Sequence, residues 1–501
     1  MNFKMQFLVM TCLAALSCPL AAQAQLITPD KSDYPESGPG SLACQVAREA
    51  IINLSPALYG TPSVWDALYG DRQGLVQFAG AVALENQNVL AAGEVLDRQY
   101  NPGEQILVEL NSRGRAVAEK RYPAKKGERS AGIVQSGKAY IVASTVSGGK
   151  GDAEKWARLA WYDAEYNFIR ETLLKDSQFD LEAMNISAPA GGKGAVAVIR
   201  ATGRNPGKED HAMLVRLSDD GKIVWKRAYS PGIANHLYNV SAVDGAHYIA
   251  TGQILHEDGR MAGWLLKLND DGTIAWQKTY PRGQFAMLRG AVKKTMKYGE
   301  DRYIATGQIM PYGADPGAAW VLEVDLHGTT IWQRFLRTPG FDLDGRAVQA
   351  YPDERLSVLA NARAQDPENA VKSHIRLLTL SPRGILLDDQ AYMEGHEAEA
   401  RQLIPGWTGE RIVTASIEIR KMPGDEDGQK LELITDALAR RQKEQEMAGE
   451  AEKTAETPPA VEAETKAVPE KETRHEGWVF VATRPAAYTD PCILPPSDPA
   501  L

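Results

Sequence analysis

The sequence predicts an all-β protein, a seven-bladed β-propeller with four-stranded antiparallel blades, the last of which is closed by N- and C-terminal strands. A strand–turn–strand motif recurs along the 501 residues, and the last positions of its copies lie 51 to 56 residues apart. Two further apolar segments precede each copy, which gives four strands per repeat. A repeat of this length and strand number is typical of propellers. A single unit cannot bury both of its faces, so the units must pack around a ring.

The motif consists of an apolar strand, a turn rich in Asp and Gly, and an outgoing strand with Trp and Tyr four residues apart. Residues 214–229 and 265–280 are the clearest copies, and residues 159–174 form a degenerate copy with Tyr166 in the glycine position. The Asp or Asn side chain caps such a turn, and Gly supplies its positive φ. Residues four apart lie on one face of a strand. We therefore interpret the recurring aromatic residues as blade-packing residues: Trp65, Tyr69, Trp225, Tyr229, Trp276, Tyr280 and Trp332.

The period of the motif can be counted at the end of the outgoing strand. In successive copies, the last residue of the outgoing strand is Tyr122, Leu174, Tyr229, Tyr280, Leu336 and Tyr392. These residues are separated by 52, 55, 51, 56 and 56 positions. The strand that precedes the motif recurs identically at 248–254 and 303–309. Six copies and one incomplete copy therefore indicate seven blades.

Both ends of the chain are predicted to contribute to the seventh blade. The segment 477–482 resembles 263–268, but no outgoing Trp–Tyr strand follows it. Trp65 and Tyr69 have the missing spacing, and Tyr69 precedes Tyr122 by 53 residues, in phase with the repeat. A ring closed in this way leaves no free sheet edge between its first and last blades.

The N-terminal 24 residues have the pattern of a secretory signal peptide. Lys4 supplies the positive charge, the run 7–20 is mostly apolar, and residues 22–24 form a small-x-small cleavage site. We expect cleavage after Ala24 and a periplasmic or secreted protein; a membrane anchor is the alternative. Cleavage removes two of the four cysteines and leaves Cys44 and Cys492 as a disulfide candidate, with two independent thiols as the alternative.

A segment without the repeat interrupts the last blade at residues 424–476. Its helical spacing of Leu431, Ile434 and Leu438 indicates a short apolar stripe, and its second half has a disordered composition. This stripe is a candidate partner-binding helix; the alternative is a helix that lies on its own propeller. The predicted organisation is a signal peptide (1–24), an N-terminal extension (25–60), blades (61–423), this insertion, a closing strand (477–485) and a C-terminal tail (486–501).

The net charge of −9 is concentrated in that insertion. Residues 424–476 contain 15 acidic and 8 basic residues, so their net charge is −7, and the rest of the mature chain carries about −3. An acidic chain does not suit nucleic acid or anionic lipid as its main partner. No other apolar run reaches the length of about 18 residues that a membrane-spanning helix needs, so no transmembrane segment is expected in the mature chain.

The sequence contains no recognised catalytic or metal-binding motif. His236, His247 and His256 are close in sequence but are predicted to fall on different strands and loops. Phosphate loops, nucleophile elbows and zinc-protease helices are absent. The Asp-Asp-Gly turns lack the Glu that completes an EF-hand calcium loop. We therefore predict no metal, no cofactor and no catalytic residue.

The units resemble the repeats of bacterial exported β-propeller proteins of the PQQ-like and SBBP-like type, in which an apolar strand, Asp-x-x-Gly and Trp follow one another. The resemblance covers most of residues 61–423 and the segment 476–485. It implies the propeller fold, and its members include quinone enzymes and assembly scaffolds. We expect an exported, non-enzymatic scaffold that binds a protein partner in a cell-envelope or secreted assembly. The alternative is a propeller enzyme, a quinone-dependent oxidoreductase or a lyase or hydrolase of an extracellular polymer, with its site at the channel mouth.

Overall fold

The structure is a computed structural model that describes residues 47–70, 75–97, 101–148, 154–190, 192–205, 210–313, 315–369, 371–394, 396–420, 473–486 and 488. These residues form 29 strands, belong to one compact unit, and include no helix long and apolar enough to cross a membrane. The strands are β1 (Glu49–Asn53), β2 (Trp65–Tyr69), β3 (Leu75–Ala83), β4 (Val89–Leu96), β5 (Pro102–Leu110), β6 (Ala116–Pro123), β7 (Arg129–Ser136), β8 (Ala139–Gly148), β9 (Glu154–Tyr162), β10 (Phe168–Leu174), β11 (Phe179–Ser187), β12 (Ala195–Gly203), β13 (His211–Leu217), β14 (Ile223–Tyr229), β15 (Ala234–Ala242), β16 (His247–Leu255), β17 (Met261–Asn269), β18 (Ile274–Pro281), β19 (Phe285–Lys294), β20 (Arg302–Met310), β21 (Ala318–Val324), β22 (Thr330–Arg337), β23 (Phe341–Ala350), β24 (Leu356–Ala364), β25 (Ser373–Leu380), β26 (Leu386–Tyr392), β27 (Glu397–Pro405), β28 (Arg411–Arg420) and β29 (Thr473–Ala482).

Strand pairing confirms the all-β class and the four-stranded antiparallel blades. Six blades consist of consecutive strands, from β3–β6 (blade 1) through β7–β10, β11–β14, β15–β18 and β19–β22 to β23–β26 (blade 6). The second strand of each blade is almost wholly buried, as in β4 and β16. The outgoing strands β6, β14 and β18 are mostly exposed. Burial therefore decreases from the second strand towards the periphery.

The seventh four-stranded set is assembled from both ends of the described chain. β27 pairs with β28, β28 with β29, and β29 with the short β2. Trp65 opposes Val481 and Tyr69 opposes Gly477 in this last pair. The outgoing strand of this blade is thus the one that the sequence placed at 65–69. One parallel pair, Ser373 of β25 with Glu397 of β27, joins blades 6 and 7.

An N-terminal strand adds a fifth strand to blade 5. β1 pairs in parallel with β22, from Glu49 opposite Gln333 to Asn53 opposite Arg337. β22 is more apolar and more buried than its equivalents in other blades, because β1 covers its outer edge. The chain then pairs Tyr59 with Ala391 of blade 6 before it enters β2. Part of the predicted extension 25–60 is therefore sheet.

The hairpin turns have the predicted geometry. Gly272, Gly328 and Gly384 have φ values of 78°, 80° and 75°. The Asp325 carboxylate accepts hydrogen bonds from the backbone N–H groups of His327 and Thr329, both at 2.8 Å. Capping by the Asp side chain and positive φ at Gly are both confirmed.

The aromatic residues of each outgoing strand contact the turn of the following blade. Trp225 Nε1 donates to Asp270 O at 2.8 Å, and the Tyr229 hydroxyl donates to Gly272 O at 2.7 Å. Trp276 and Tyr280 make the same two bonds to Leu326 O (2.8 Å) and Gly328 O (2.7 Å) of blade 5. The rings of Trp65 and Trp332 lie close to turn glycines of the following blade, since a Cβ added at Gly114 or Gly384 would be 2.9 Å from them. The Tyr69 hydroxyl donates to Glu119 of blade 1. These contacts connect neighbouring blades.

A buried histidine makes the stability of the fold depend on pH. His374 is fully buried between the rings of Tyr59 and Phe341, and its Nε2 accepts a hydrogen bond from Arg376 Nε at 3.1 Å. Burial and, secondly, the Arg376 charge lower the pKa of His374 to about 3. In the unfolded chain this group has a pKa near 6.5. Its contribution to stability is therefore present above pH 6.5 and is lost as the pH falls towards 3.

We expect the free energy of unfolding to fall by about 2 kcal/mol between pH 7 and pH 5 because of His374 alone. The His374→Gln variant has no group to protonate, so its decrease over this interval is smaller by that amount. Urea unfolding at the two pH values measures the difference. His327→Gln, at an exposed turn position, is the control and retains the parent's pH dependence. A parent-like decrease in His374→Gln would contradict the assignment.

Candidate functional site

The central channel is lined by the innermost strand of each blade, and each of these seven strands contains a β-bulge at the same place. The register shifts by one residue between Leu288 and Gly290 in β19, and equivalent shifts occur in the other six inner strands. A bulge changes the direction in which the side chain of the extra residue points. We call these seven residues the bulge ring: Ala79, Ala131, Met184, Tyr238, Arg289, Arg346 and Arg401.

All seven residues of the bulge ring line one cavity of about 1040 Å³. Blades 1 to 3 contribute small or apolar side chains to the ring. Blades 5, 6 and 7 each contribute one arginine. We call these three residues, Arg289, Arg346 and Arg401, the arginine wall. The channel therefore has one cationic side, flanked in blade 4 by Tyr238.

One carboxylate holds two members of the arginine wall. Arg289 Nε lies 3.0 and 2.9 Å from the two carboxylate oxygens of Asp344, and Arg346 Nη1 lies 3.0 Å from Asp344 Oδ2. Arg289 Cζ also lies 4.8 Å from the centre of the Tyr238 ring, within range of a cation–π contact. Arg401 is exposed and forms no hydrogen bond or ion pair with the described part of the chain. Asp344 thus contacts two of the three guanidinium groups, and within the described residues no carboxylate contacts the third, which leaves positive charge in excess.

The electrostatic environment of Arg346 reflects this excess. Burial is the main factor that lowers the pKa of Arg346, the nearby charges of Arg289 and Arg401 lower it further, and Asp344 raises it. Burial also raises the pKa of the Tyr238 hydroxyl, and the Arg289 charge opposes that change. Arginine remains protonated in spite of such shifts. The wall is therefore a site where like charges repel and where an anion would relieve that repulsion.

The opposite side of the channel contains a carboxylate, that of Glu94, which is paired with groups of the protein itself. Glu94 is buried, accepts a hydrogen bond from Ser130 N at 2.8 Å, and lies 3.4 Å from Arg129 Nη1. Burial raises the pKa of Glu94, while the Ser130 and Arg129 contacts lower it. The backbone contact belongs to a recurring type, in which a second-strand side chain binds the next inner strand. Thr145 and Asn361 make it to Ala183 and Ala400.

The inner ends of the first and last blades are also joined. Gln402, which follows Arg401 in β27, accepts a hydrogen bond from Ala81 N of β3 at 2.8 Å. Arg401 is therefore carried by a strand that is tied to its neighbours on both sides. The position of the arginine wall is fixed by the ring and does not depend on long loops.

The three histidines that are close in sequence do not converge in the structure. His236 lies on β15 with Nε2 4.0 Å from Asp210, whereas His247 contacts Asp244 at 2.9 Å and His256 lies in the β16–β17 turn. Within the described residues, no three His, Cys, Asp or Glu side chains are placed to hold a metal ion. Cys44, Cys492, the signal peptide and the stripe of Leu431, Ile434 and Leu438 lie outside the described residues.

Beside a serine–histidine pair, the backbone groups of the three residues that follow the serine are not available to stabilise an oxyanion. The Ser230 hydroxyl contacts His211 Nδ1 beside a cavity of about 680 Å³. The next residue is Pro231, which has no N–H, and the N–H of Gly232 is bonded to Asn235 Oδ1 at 2.8 Å. The N–H of Ile233 is bonded to Leu255 O at 3.0 Å. These neighbouring groups therefore form no oxyanion hole.

The arginine wall was not predicted from the sequence, although a repeat signal marks it. Arg289, Arg346 and Arg401 are 57 and 55 residues apart, close to the repeat length. The repeat is recognisable from the hairpin motif and the second strands, which have strong patterns. The inner strands vary between blades, so only their alignment by the bulge position brings the three arginines together.

Comparisons with known proteins give no family and no curated relative: no protein-family model and no curated protein matches the chain. Solved structures with similarity include a catalytically inactive variant of virginiamycin B lyase from Staphylococcus aureus with quinupristin (13% identity, TM-score 0.42, covering 70% of this chain and 94% of that chain). The extracellular domains 1–2 of Drosophila Semaphorin 1b are 7% identical, with a TM-score of 0.42 and coverages of 72% and 86%. The β-propeller domain of the Trilobed protease from Pyrococcus furiosus is 7% identical, with a TM-score of 0.34 and coverages of 57% and 77%. At these values the similarity carries no functional information.

Proposed function

We propose that this protein is an exported, non-enzymatic binding propeller that serves as a protein-binding scaffold in a cell-envelope or secreted assembly and receives its partner at the mouth of the central channel. The observation that carries the proposal is the arginine wall. Three arginines from consecutive blades face one cavity, and one carboxylate contacts two of them. The bacterial PQQ-like and SBBP-like resemblance and the signal-peptide pattern support an exported scaffold.

The charge distribution favours an acidic partner at this site. The mature ring is nearly neutral, and the arginine wall is a local cluster of positive charge in a concave channel. A cleft lined by one sign of charge focuses the electrostatic field at its mouth. Complementary charge of this kind steers a partner and fixes its orientation. A binding site made of side chains on seven strands is also rigid, which limits the entropy lost on binding.

Arginines suit binding better than acid–base chemistry. A guanidinium group donates hydrogen bonds and stays protonated near neutral pH, so it orients an anion without accepting a proton.

An enzyme with its site at the channel mouth remains the second candidate because of Glu94. A buried carboxyl with a raised pKa in a channel is a typical general acid or base. For that candidate, turnover of an extracellular polymer would be lost in Glu94→Gln, and a quinone would show in the absorbance spectrum.

Site-specific photo-crosslinking in the producing cells tests the proposed function. A photoreactive amino acid replaces Met184, which lines the channel opposite the arginine wall, or Lys278, which is exposed on the outgoing strand β18. We expect a discrete product with one envelope protein from position 184 and none from position 278. The product should decrease at least about tenfold in the R346A/R401A variant, because two of three charges are lost.

Two further variants control this experiment. R113A removes an exposed arginine from the β5–β6 turn and should leave the product unchanged. Deletion of 424–472, which ends before β29 begins at Thr473, should weaken the product without unfolding the ring if the insertion is an auxiliary contact. A protein that remains free of partners at both probe positions, or one that is crosslinked only at position 278, would overturn the proposal.

A further inference from the structure

Blade 6 shows how a carboxylate fits between arginines of neighbouring blades. Asp344 lies two residues before the bulge residue Arg346 on β23. Its carboxylate bridges Arg289 of blade 5 and Arg346 of its own blade, with nitrogen–oxygen distances of 2.9 to 3.0 Å. Asp344 and the two arginines are between 16% and 23% exposed, so this bridge is shielded from much of the solvent.

The corresponding position between blades 6 and 7 contains no such bridge. Glu399 lies two residues before the bulge residue Arg401 on β27, where Asp344 lies in blade 6. Its carboxylate instead forms an ion pair with Arg363 of β24. Within the described residues, Arg346 therefore contacts only the carboxylate of Asp344 on its own strand, and Arg401 contacts none.

We infer that the space between Arg346 and Arg401 is a carboxylate-binding site that receives an acidic side chain or the C-terminal carboxylate of a protein partner. A ligand carboxylate there would repeat the arrangement of Asp344, with one acceptor oxygen available to each guanidinium group. Arginine matches planar carboxylates in this way through its fixed donor geometry. That the ligand belongs to a protein partner rests on the proposed function. That the site binds a carboxylate does not.

The repulsion between the arginines supports this site independently of the repeat. Burial is the main factor that lowers the pKa of Arg346; the charges of Arg289 and Arg401 lower it further, and Asp344 opposes them. A second carboxylate would neutralise the remaining excess charge within the cavity. Because Asp344 already holds Arg346 and both arginines lie on bulged strands of the ring, part of the site is formed before the ligand binds.

The Glu399–Arg363 ion pair keeps a potential competitor outside the site. Arg363 is 72% exposed, so it holds Glu399 from the solvent side. Without Arg363, the Glu399 carboxylate would be free to turn towards Arg346 and Arg401, as Asp344 does in blade 6. The R363A substitution should therefore weaken carboxylate binding even though it removes no residue of the site.

Titration calorimetry with the mature protein tests the site, with capped hexaglutamate as the probe and capped hexaglutamine and inorganic phosphate as the comparison ligands. We expect hexaglutamate to bind with an affinity that decreases as salt is added, and hexaglutamine not to bind. R401A and R346A should each weaken binding at least about tenfold. R113A, which removes an exposed arginine elsewhere, should bind as the parent does.

R363A should weaken hexaglutamate binding several-fold, and the double variant R363A/E399Q should restore it. R363A/E399Q has the parent's net charge, so R363A/E104Q is the matched control, because it restores the same net charge at an exposed carboxylate that does not line the channel cavity. Recovery in R363A/E399Q but not in R363A/E104Q separates competition by Glu399 from a general loss of positive charge. This comparison also remains informative if R346A fails to fold, since Arg401 and Arg363 are exposed.

Unchanged affinity in R401A, or no binding of hexaglutamate by the parent, would overturn the carboxylate site. Tight binding of phosphate with no binding of hexaglutamate would also overturn it, in favour of a different anion. The outcome is separable from that of the scaffold proposal. Peptide binding that depends on Arg401, together with no crosslinked partner in cells, would support the site and contradict the scaffold role.

Discussion

Glu323→Ala is expected to lower the free energy of unfolding by about 3 to 5 kcal/mol, because it leaves a buried ammonium group without its counter-charge. Glu323 and Lys294 are both fully buried, with Lys294 Nζ 2.9 Å from Glu323 Oε2. Lys294 also donates to Pro382 O of blade 6 at 2.8 Å, so the pair connects blades 5 and 6. Arg302, 2.5 Å from the other carboxylate oxygen, is 34% exposed and can be solvated when Glu323 is removed. Urea unfolding of the purified protein measures the loss.

Two comparisons separate the charge effect from the loss of packing. Glu104→Ala removes an ion pair of similar length, 3.2 Å to Arg121, but both side chains are exposed, so the loss should be below about 1 kcal/mol. Replacing the buried pair by Lys294→Met with Glu323→Leu should recover most of the stability lost in Glu323→Ala. If the single and double variants were equally unstable, unpaired charge would not be the cause.

Gly384→Ala is expected to destabilise the protein by about 3 kcal/mol, because two separate constraints act on this turn residue. Its φ of 75° costs an L-residue roughly 1 to 2 kcal/mol. Its Cβ would also lie 2.9 Å from Trp332 Cζ3 and 3.0 Å from Arg334 Nε. Trp332 is buried, and Arg334 donates to Gly384 O at 2.9 Å, so neither side chain can move without further loss.

Gly259→Ala is the matched control for the second constraint. Gly259 lies in the β16–β17 turn with a φ of 78°, and no atom lies within 4 Å of the position that its Cβ would take. This variant should therefore lose only the conformational part, about 1 to 2 kcal/mol. Thermal or urea unfolding of the two variants gives the difference, which we attribute to the contact between blades 5 and 6. Equal losses would show that this contact does not stabilise the ring.

The repeat could be predicted because the hairpin turn requires specific residues. Even the degenerate copy follows the rule, since Tyr166 occupies the glycine position and has a φ of 66°. Its hydroxyl donates to Glu109, and its carbonyl accepts a hydrogen bond from the Tyr122 hydroxyl of the preceding blade. A positive φ at a bulky residue is uncommon, and these contacts hold the turn in place. The position in the repeat was therefore a better guide than the residue type.

The N-terminal strand β1 and the arginine wall could not be predicted in the same way. β1 is short and lies at an edge, and its partner β22 is recognisable only as an outgoing strand with an unusually apolar sequence around Phe335 and Leu336. The arginines come from three inner strands that share a bulge but little sequence. Their convergence follows from ring closure and strand register, which a linear pattern does not contain.

The most direct test of the account is the structure of the mature protein bound to capped hexaglutamate. We predict one glutamate carboxylate between Arg346 and Arg401, within hydrogen-bonding distance of both guanidinium groups, with Asp344 still bridging Arg289 and Arg346. A peptide bound only at the outer rim, with both arginines unoccupied, would contradict the central claim that the channel is the binding face of this propeller.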